Sequence, residues 1–237
     1  MSGILSAMSF ERDAIIVMTD GAVYDRDHVL LTVKRKVTVS EKLPLAVAFR
    51  GNFAFAEVTS RQIIRAAEEV GFDRMLAALE GDLPNMPQEP RLEILIAGVS
   101  ETAGPMHRMF TNWEARESDR QKCSVLLDPG PMHFGFGSDG RAVTLDDFGI
   151  PPPRQGETIQ SWLSRYGVAI FEYFRRLPVP IDPFDVSTAR EYLIGGICDM
   201  TVVKPSSVST TLLHRWPDKI GERIDPFRDI EKTREAA

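Results

Sequence analysis

The chain has 237 residues, of which 43% are hydrophobic and 26% charged, and this composition is typical of a soluble globular protein with an ample core. The formal net charge of −6 argues against a nucleic-acid or anionic-membrane partner, and no stretch reaches the roughly 18–20 apolar residues of a membrane span. Two cysteines, Cys123 and Cys198, are too few for a disulfide framework, and the N-terminus lacks the features of a signal peptide, so we expect a cytoplasmic protein.

Short strands dominate the first part of the chain. The run AIIVMT at 14–19 is apolar throughout, which is typical of a strand buried on both faces. Strands are also predicted for 3–10, for the β-branched stretch at 28–39 and for the apolar stretch at 44–49. Asn52 belongs to the residue types that cap helices, and apolar residues recur behind it at helical spacing. The sequence therefore predicts a helix from about 53 to 70, followed by a second, shorter one.

The second part repeats this order. Strand patterns precede a proline-rich connection, and the longest helical pattern, ETIQSWLSRYGVAIFEYFRRL, follows it. We expect a further helix over DVSTAREYL and two last strands. Helices grouped in pairs between runs of strands predict an α+β fold, a four-layer αββα sandwich of two stacked, mostly antiparallel sheets. We expect a single domain over 1–216 and a charged C-terminal tail over 217–237.

Several stretches resemble proteasome β-type subunits, above all the bacterial proteasome-like peptidase that partners an unfoldase ATPase. The stretches AIIVMTDGA, TVKRKV and LPLAVAFRGNFAFAE follow the opening of that family in order. Asp20 takes the family's acid position and Lys36, sixteen residues later, its lysine position, while Gly51 begins the turn into the long helix. Further on, Ser138 in HFGFGSDG matches a glycine-serine turn, and Gly195-Gly196 matches a glycine pair.

The resemblance implies the fold and chemistry of the N-terminal nucleophile hydrolases. In these enzymes the hydroxyl of the first residue attacks an amide carbonyl, and the α-amine of the same residue accepts the proton. Lys36 would favour the neutral amine and the alkoxide, Asp20 would orient Lys36, and a backbone N–H near Gly51 would stabilise the oxyanion. No cofactor is implied, and the four histidines fall in separate elements without the spacing of metal ligands.

The nucleophile position is the main departure from the family. Counting back from Asp20 without gaps, it falls on Ile4, which has no nucleophilic atom. Ser2 becomes the first residue if Met1 is removed, and this register requires a two-residue insertion in the first hairpin. Ser6 and Ser9 are further candidates, each requiring a self-cleavage.

Two supporting positions also differ. The family's acid-serine pair near the last turn maps onto Glu191 and Ile194, so the acid is present and the serine is not. Ala22 stands where the family usually has an arginine or glutamine. Each matched residue also has a purely structural interpretation: Asp20 and Lys36 as a strand-end ion pair, and Ser138 as a turn residue.

Two functions therefore remain open. One is a self-assembling peptidase or amidohydrolase that cleaves amide bonds; the other is a catalytically inactive proteasome-like subunit with a structural or assembly role. Both predict a homo-oligomeric ring or stack. The resemblance adds a peptide or protein substrate and an unfoldase ATPase as expected partners.

Overall fold

The computed structural model describes residues 3–113, 124–135, 143–180 and 187–228, and this part of the chain forms an α+β fold with antiparallel sheets. The strands are β1 (Ile4–Met8), β2 (Ile15–Asp20), β3 (Ala22–Tyr24), β4 (Leu30–Val33), β5 (Val37–Val39), β6 (Leu45–Gly51), β7 (Leu92–Ser100), β8 (Gly104–Thr111), β9 (Met132–Gly135), β10 (Val179–Pro180), β11 (Arg190–Glu191), β12 (Ile197–Lys204) and β13 (Ser207–Arg215). The helices are α1 (Phe53–Val70), α2 (Phe72–Asp82), α3 (Leu145–Phe148) and α4 (Ile159–Arg175), with a 3₁₀ turn at Leu83–Asn85.

Two larger sheets organise the fold. The first has the strand order β13-β12-β2-β1-β9, and the second has the order β5-β6-β7-β8. All neighbouring strands within them run antiparallel. Strands β3 and β4 form a separate hairpin, and β10 pairs with β11. Strand β2 is buried along its whole length, as its apolar run predicted.

Three apolar clusters show what each sheet face packs against. One joins α4 to β1, β2 and β12. A second joins α1 and α2 to β6 and β7. The third lies between the two larger sheets and contains residues of β1, β2, β6, β7 and β12. Both larger sheets therefore bury two faces, which is why their central strands are apolar without alternation.

A side-chain cap at one end and a glycine at the other set the limits of helix α1. The side chain of Asn52 accepts a hydrogen bond from Phe55 N at 3.1 Å, as expected for an N-cap. The helix ends before Gly71, whose φ of +91° lies outside the helical range. The helix predicted here from the sequence is confirmed. No helix in the described ranges is long and apolar enough to cross a membrane.

The helix predicted over DVSTAREYL is wrong where the structure describes it. Residues 187–193 contain no helix; Arg190 and Glu191 form strand β11, opposite Pro180 and Val179. Long-range pairing overrides the local helical spacing here, because Glu191 binds Arg223 at 2.5 Å. The start of this predicted helix lies outside the described residues.

The first part of the charged tail packs on its own chain. Leu30 N donates to Glu222 O at 3.0 Å, and Gly221 N donates to Leu30 O at 2.8 Å. Ile224 is buried beside Ala22 and Leu30. Residues 217–228 therefore lie against the β3–β4 hairpin, next to the end of β2.

Candidate active site

A buried ion pair joins the two halves of the fold. Asp20 is the last residue of β2, and Lys36 lies directly before β5. The Lys36 ammonium is 3.0 Å from each oxygen of the Asp20 carboxylate, and the side chains are 3% and 0% exposed. The two residues that the sequence singled out are therefore direct partners, although Asp20 ends a strand of the first larger sheet and Lys36 precedes a strand of the second.

Backbone donors fix the Asp20 carboxylate from several sides. Gly3 N donates to Oδ1 at 3.0 Å, while Ala22 N and Gly195 N donate to Oδ2 at 3.2 and 3.3 Å. Hydrogen bonds to an ionised acceptor are stronger than neutral ones, so these contacts hold the carboxylate in one orientation. The acid therefore connects the beginning of β1, the turn after β2 and the turn before β12.

Burial also changes the proton affinity of Lys36. Burial lowers the pKa of Lys36 below its ordinary value of 10.5, and the neighbouring Asp20 charge opposes that shift. An ammonium with a lowered pKa gives up its proton more readily than a surface lysine does. The pair therefore places a positive charge at a buried position.

A cleft of about 340 Å³ opens beside the pair. Its lining comes from β3 and the turn after it, from Lys36, and from the end of β6 with the start of α1: Ala22, Val23, Tyr24, Asp25, Arg26, His28, Lys36, Phe49, Arg50, Gly51, Asn52 and Phe53. The cleft has apolar and polar walls, as sites for small ligands or side chains usually have.

Gly51 contributes a backbone donor to this cleft. Its φ is +107°, and a Cβ there would lie 2.4 Å from Arg91 O, so only glycine fits. Phe49 N donates to Lys36 O at 3.0 Å, and N–H groups two residues apart in a strand face the same side. The Gly51 N–H therefore faces the side of Lys36, away from β7. A backbone N–H in this position can stabilise an oxyanion.

Of the residues predicted for the site, the structure brings together Asp20, Lys36 and Gly51. Ser2 and Ser138 lie outside the described residues. Glu191 is bound elsewhere: its Oε1 accepts from Arg223 Nη1 at 2.5 Å.

The other serine candidates have structural roles. Ser6 lies in β1 with its Oγ 2.6 Å from His107 Nδ1, and both residues are buried. His107 Nε2 faces Gly130 O at 2.7 Å; because a carbonyl only accepts, Nδ1 is the acceptor for the Ser6 hydroxyl. Ser9 Oγ donates to Asp13 in the following turn.

The described residues give no support to two further kinds of site, a thiol nucleophile and a metal centre. Cys198 is fully buried, and burial raises the pKa of its thiol well above the ordinary value, so it is a poor nucleophile. Within the described ranges, no group of three or more His, Cys, Asp or Glu residues could hold a metal ion.

Sequence reasoning missed two features near the site. His28 lines the cleft, has a φ of +60°, and its buried Nδ1 has no hydrogen-bond partner in the described part of the chain. Arg175 and Asp218 form a buried ion pair beside Gly196. These two are 43 residues apart in sequence, so no local pattern could have signalled the pair.

Comparisons with known proteins add no family assignment. No protein-family model matches this chain, and a search of the curated proteins finds no significant match. The function must therefore be inferred from the site itself.

Proposed function

We propose that this chain is a peptidase or amidohydrolase of the N-terminal nucleophile type, with Ser2 as its first residue after removal of Met1. The observation that carries the proposal is the contact of Gly3, whose N–H lies 3.0 Å from Asp20 Oδ1. Ser2 is the residue joined to that nitrogen, so a single peptide bond links it to a group in contact with the Asp20–Lys36 pair.

The register of the first hairpin supports Ser2 over Ile4. Met8 pairs with Ile15, so residues 9–14 form the connection, and Asp20 N donates to Gly3 O at 3.3 Å. Ile4 is one position further along, is 1% exposed, and belongs to the apolar cluster between the sheets. The residue at the ion pair is thus Gly3, the direct neighbour of Ser2 in the chain, and not Ile4.

The chemistry follows from the groups around the pair. The Ser2 hydroxyl attacks the substrate carbonyl carbon, and its proton moves to the Ser2 α-amine, whose ordinary pKa of about 8 suits a general base. The Gly51 N–H stabilises the oxyanion, and the charge of Lys36 lowers the energy of the alkoxide. The intermediate collapses by breaking the C–N bond, and the α-ammonium returns the proton to the leaving amine. Water then hydrolyses the acyl ester on Ser2.

The packing of the helices supports the same class of fold. The apolar clusters place α4 against one larger sheet, the two sheets against each other, and α1 with α2 against the second sheet. We propose that this is the four-layer αββα sandwich of the N-terminal nucleophile hydrolases. A cleft of about 340 Å³ beside Lys36 is large enough for one side chain of a peptide substrate.

A second candidate is a catalytically inactive subunit of a proteasome-like assembly. The observation that favours it is the last turn: Ile194 is fully buried where the family has a serine, and Glu191 is bound to Arg223. Both candidates include assembly of identical chains into a ring or stack in the cytoplasm, and an unfoldase ATPase is proposed as a partner of the first.

The test is covalent labelling of the native protein with a β-lactone, which acylates activated hydroxyl groups. Intact mass first shows whether the chain begins at Ser2, and peptide mapping then locates the adduct. We expect one adduct on Ser2, none in Ser2→Ala, and full labelling in Ser206→Ala, whose serine lies exposed in the turn between β12 and β13. A chain with a free Ser2 that neither reacts nor cleaves peptides supports the inactive subunit instead.

A further inference from the structure

Two consecutive backbone N–H groups connect the Asp20 site to a second carboxylate. Gly195 N donates to Asp20 Oδ2 at 3.3 Å, and the next amide, Gly196 N, donates to Asp218 Oδ2 at 2.7 Å. The turn before β12 is therefore held between an acid of the site and an acid of the C-terminal segment.

Asp218 is fixed by Arg175 at the end of α4. The guanidinium binds both carboxylate oxygens, with Nη1 3.0 Å from Oδ2 and Nη2 2.5 Å from Oδ1. The two side chains are only 3% and 4% exposed. Such a bidentate pair fixes the orientation of the carboxylate as well as its distance from the guanidinium. Arg175 Nη1 also donates to Ile194 O at 2.7 Å, so the same side chain binds the turn itself.

Trp216 completes the contact with this turn. Its backbone N–H donates to Gly196 O at 3.0 Å, and its ring lies 5.2 Å from the Arg175 guanidinium. The fit leaves no room for a larger residue: a Cβ on Gly195 would lie 2.5 Å from Asp218 Oδ2 and 2.2 Å from Ile224 Cδ1. The position of residues 194–196 is thus fixed by α4 and the C-terminal segment on one side, and by Gly21, whose N–H donates to Gly195 O at 3.1 Å, on the other.

We propose that Arg175 and Asp218 are a positioning pair that aligns the Gly195 N–H with Asp20 and so keeps the Asp20–Lys36 pair in its reactive geometry. The consequence for catalysis rests on the proposed function; the alignment of Gly195 does not. The pair acts from outside the turn, through backbone contacts at Ile194 and Gly196.

The experiment compares Asp218→Asn with Asp225→Asn. The first change keeps the side-chain volume but places an amide NH₂ against Arg175 or Gly196 N. The second removes a charge from an exposed residue of the same segment, whose carboxylate accepts a hydrogen bond from Phe227 N. Amide hydrogen exchange of Gly195 is measured in each, without substrate, alongside β-lactone labelling of Ser2 as a function of pH.

In Asp218→Asn we expect Gly195 to exchange about tenfold faster while the amides of β6 are unchanged. We also expect Ser2 labelling to slow about tenfold at neutral pH, because a small displacement of a reacting group strongly lowers the reaction rate. Its pH midpoint should move to higher pH, since Asp20 with fewer N–H donors presents more negative potential. Asp225→Asn should match the parent chain in all three measurements.

Unchanged Gly195 exchange in folded Asp218→Asn overturns the inference, and so does faster exchange with an unaltered pH profile of labelling. If Asp218→Asn does not fold, Arg175→Lys replaces it: it keeps the charge but cannot bind both oxygens of Asp218 and Ile194 O together. A parent chain that never reacts at Ser2 refutes the proposed function alone, because the exchange of Gly195 still decides whether the pair aligns the turn.

Discussion

Removal of either partner of the buried ion pair should destabilise the fold, and Asp20→Asn should do so more than Lys36→Met. The two changes look equivalent because each breaks the same contact. They differ in what is left behind, since the remaining group keeps different partners in each variant.

The structure gives the order of magnitude. Breaking a buried pair by removing one partner generally costs about 3–5 kcal/mol, because an uncompensated charge remains. In Lys36→Met the Asp20 carboxylate keeps three backbone donors, so we expect the lower end, about 3 kcal/mol. In Asp20→Asn the Lys36 ammonium remains buried, and the new NH₂ must face an N–H donor or the ammonium. We expect about 5 kcal/mol there. The double variant, which removes both charges, should be more stable than Asp20→Asn alone.

Urea unfolding at pH 7.5 measures these free energies. The matched control is Arg65→Gln, which breaks an exposed pair with Glu69 on α1 and should change stability by less than about 0.5 kcal/mol. Lys36→Met costing as much as Asp20→Asn would refute the reasoning, because the backbone donors would then contribute nothing. A loss below about 1 kcal/mol for both would refute the burial of the pair.

Three further predictions concern other buried groups, each measured by urea unfolding against the parent chain. Burial raises the pKa of Tyr24 well above 10.0, so the folded state holds this proton more tightly and stability falls as pH rises above 10. Tyr24→Phe should lose less stability between pH 8 and 10.5; an equal loss contradicts this. Burial lowers the pKa of His133 below 6.5, so stability falls as pH drops below 6.5. His133→Gln should reduce that fall by up to about 1.4 kcal/mol per pH unit. An unchanged dependence of the unfolding free energy on pH contradicts this. Asp199 Oδ1 is buried without a partner in the described part of the chain, and its ion-pair partner Arg35 is 56% exposed. Because the buried Oδ1 destabilises the fold, Asp199→Asn should raise the free energy of unfolding by about 1 kcal/mol at pH 7. A decrease of that size would show that the Asp199 carboxylate is stabilising.

The parts of the fold that the sequence predicted correctly are those decided by local chemistry. The apolar run of β2 indicated a strand buried on both faces, and Asn52 marked the beginning of α1. The predicted helix over DVSTAREYL failed for the opposite reason. Its helical spacing was overridden by the pairing of β11 with β10 and by Arg223, which lies 32 residues beyond Glu191.

The candidate site divides in the same way. Asp20 and Lys36 could be matched through their spacing and their strand ends, and they meet as direct partners. Gly51 could be matched through its turn, whose backbone conformation only glycine tolerates well. Arg175 and Asp218 could not be found, because a buried pair between a helix end and a C-terminal segment has no periodic or local signature. Such pairs are specified by the tertiary fold alone.

The choice between a plain ion pair and an active site depends on where the buried pair lies. Burial of two charges carries a desolvation penalty that apolar residues of similar volume would avoid, so burial alone does not explain the pair. This pair adjoins a cleft that Lys36 lines and that the Gly51 N–H faces, and the Gly3 N–H binds Asp20 directly. Lys36→Met separates the two interpretations, because a loss of about 3 kcal/mol leaves most single domains folded. A folded variant whose Ser2 labels as fast as the parent assigns Lys36 to stability, whereas a folded variant that no longer reacts assigns it to the chemistry.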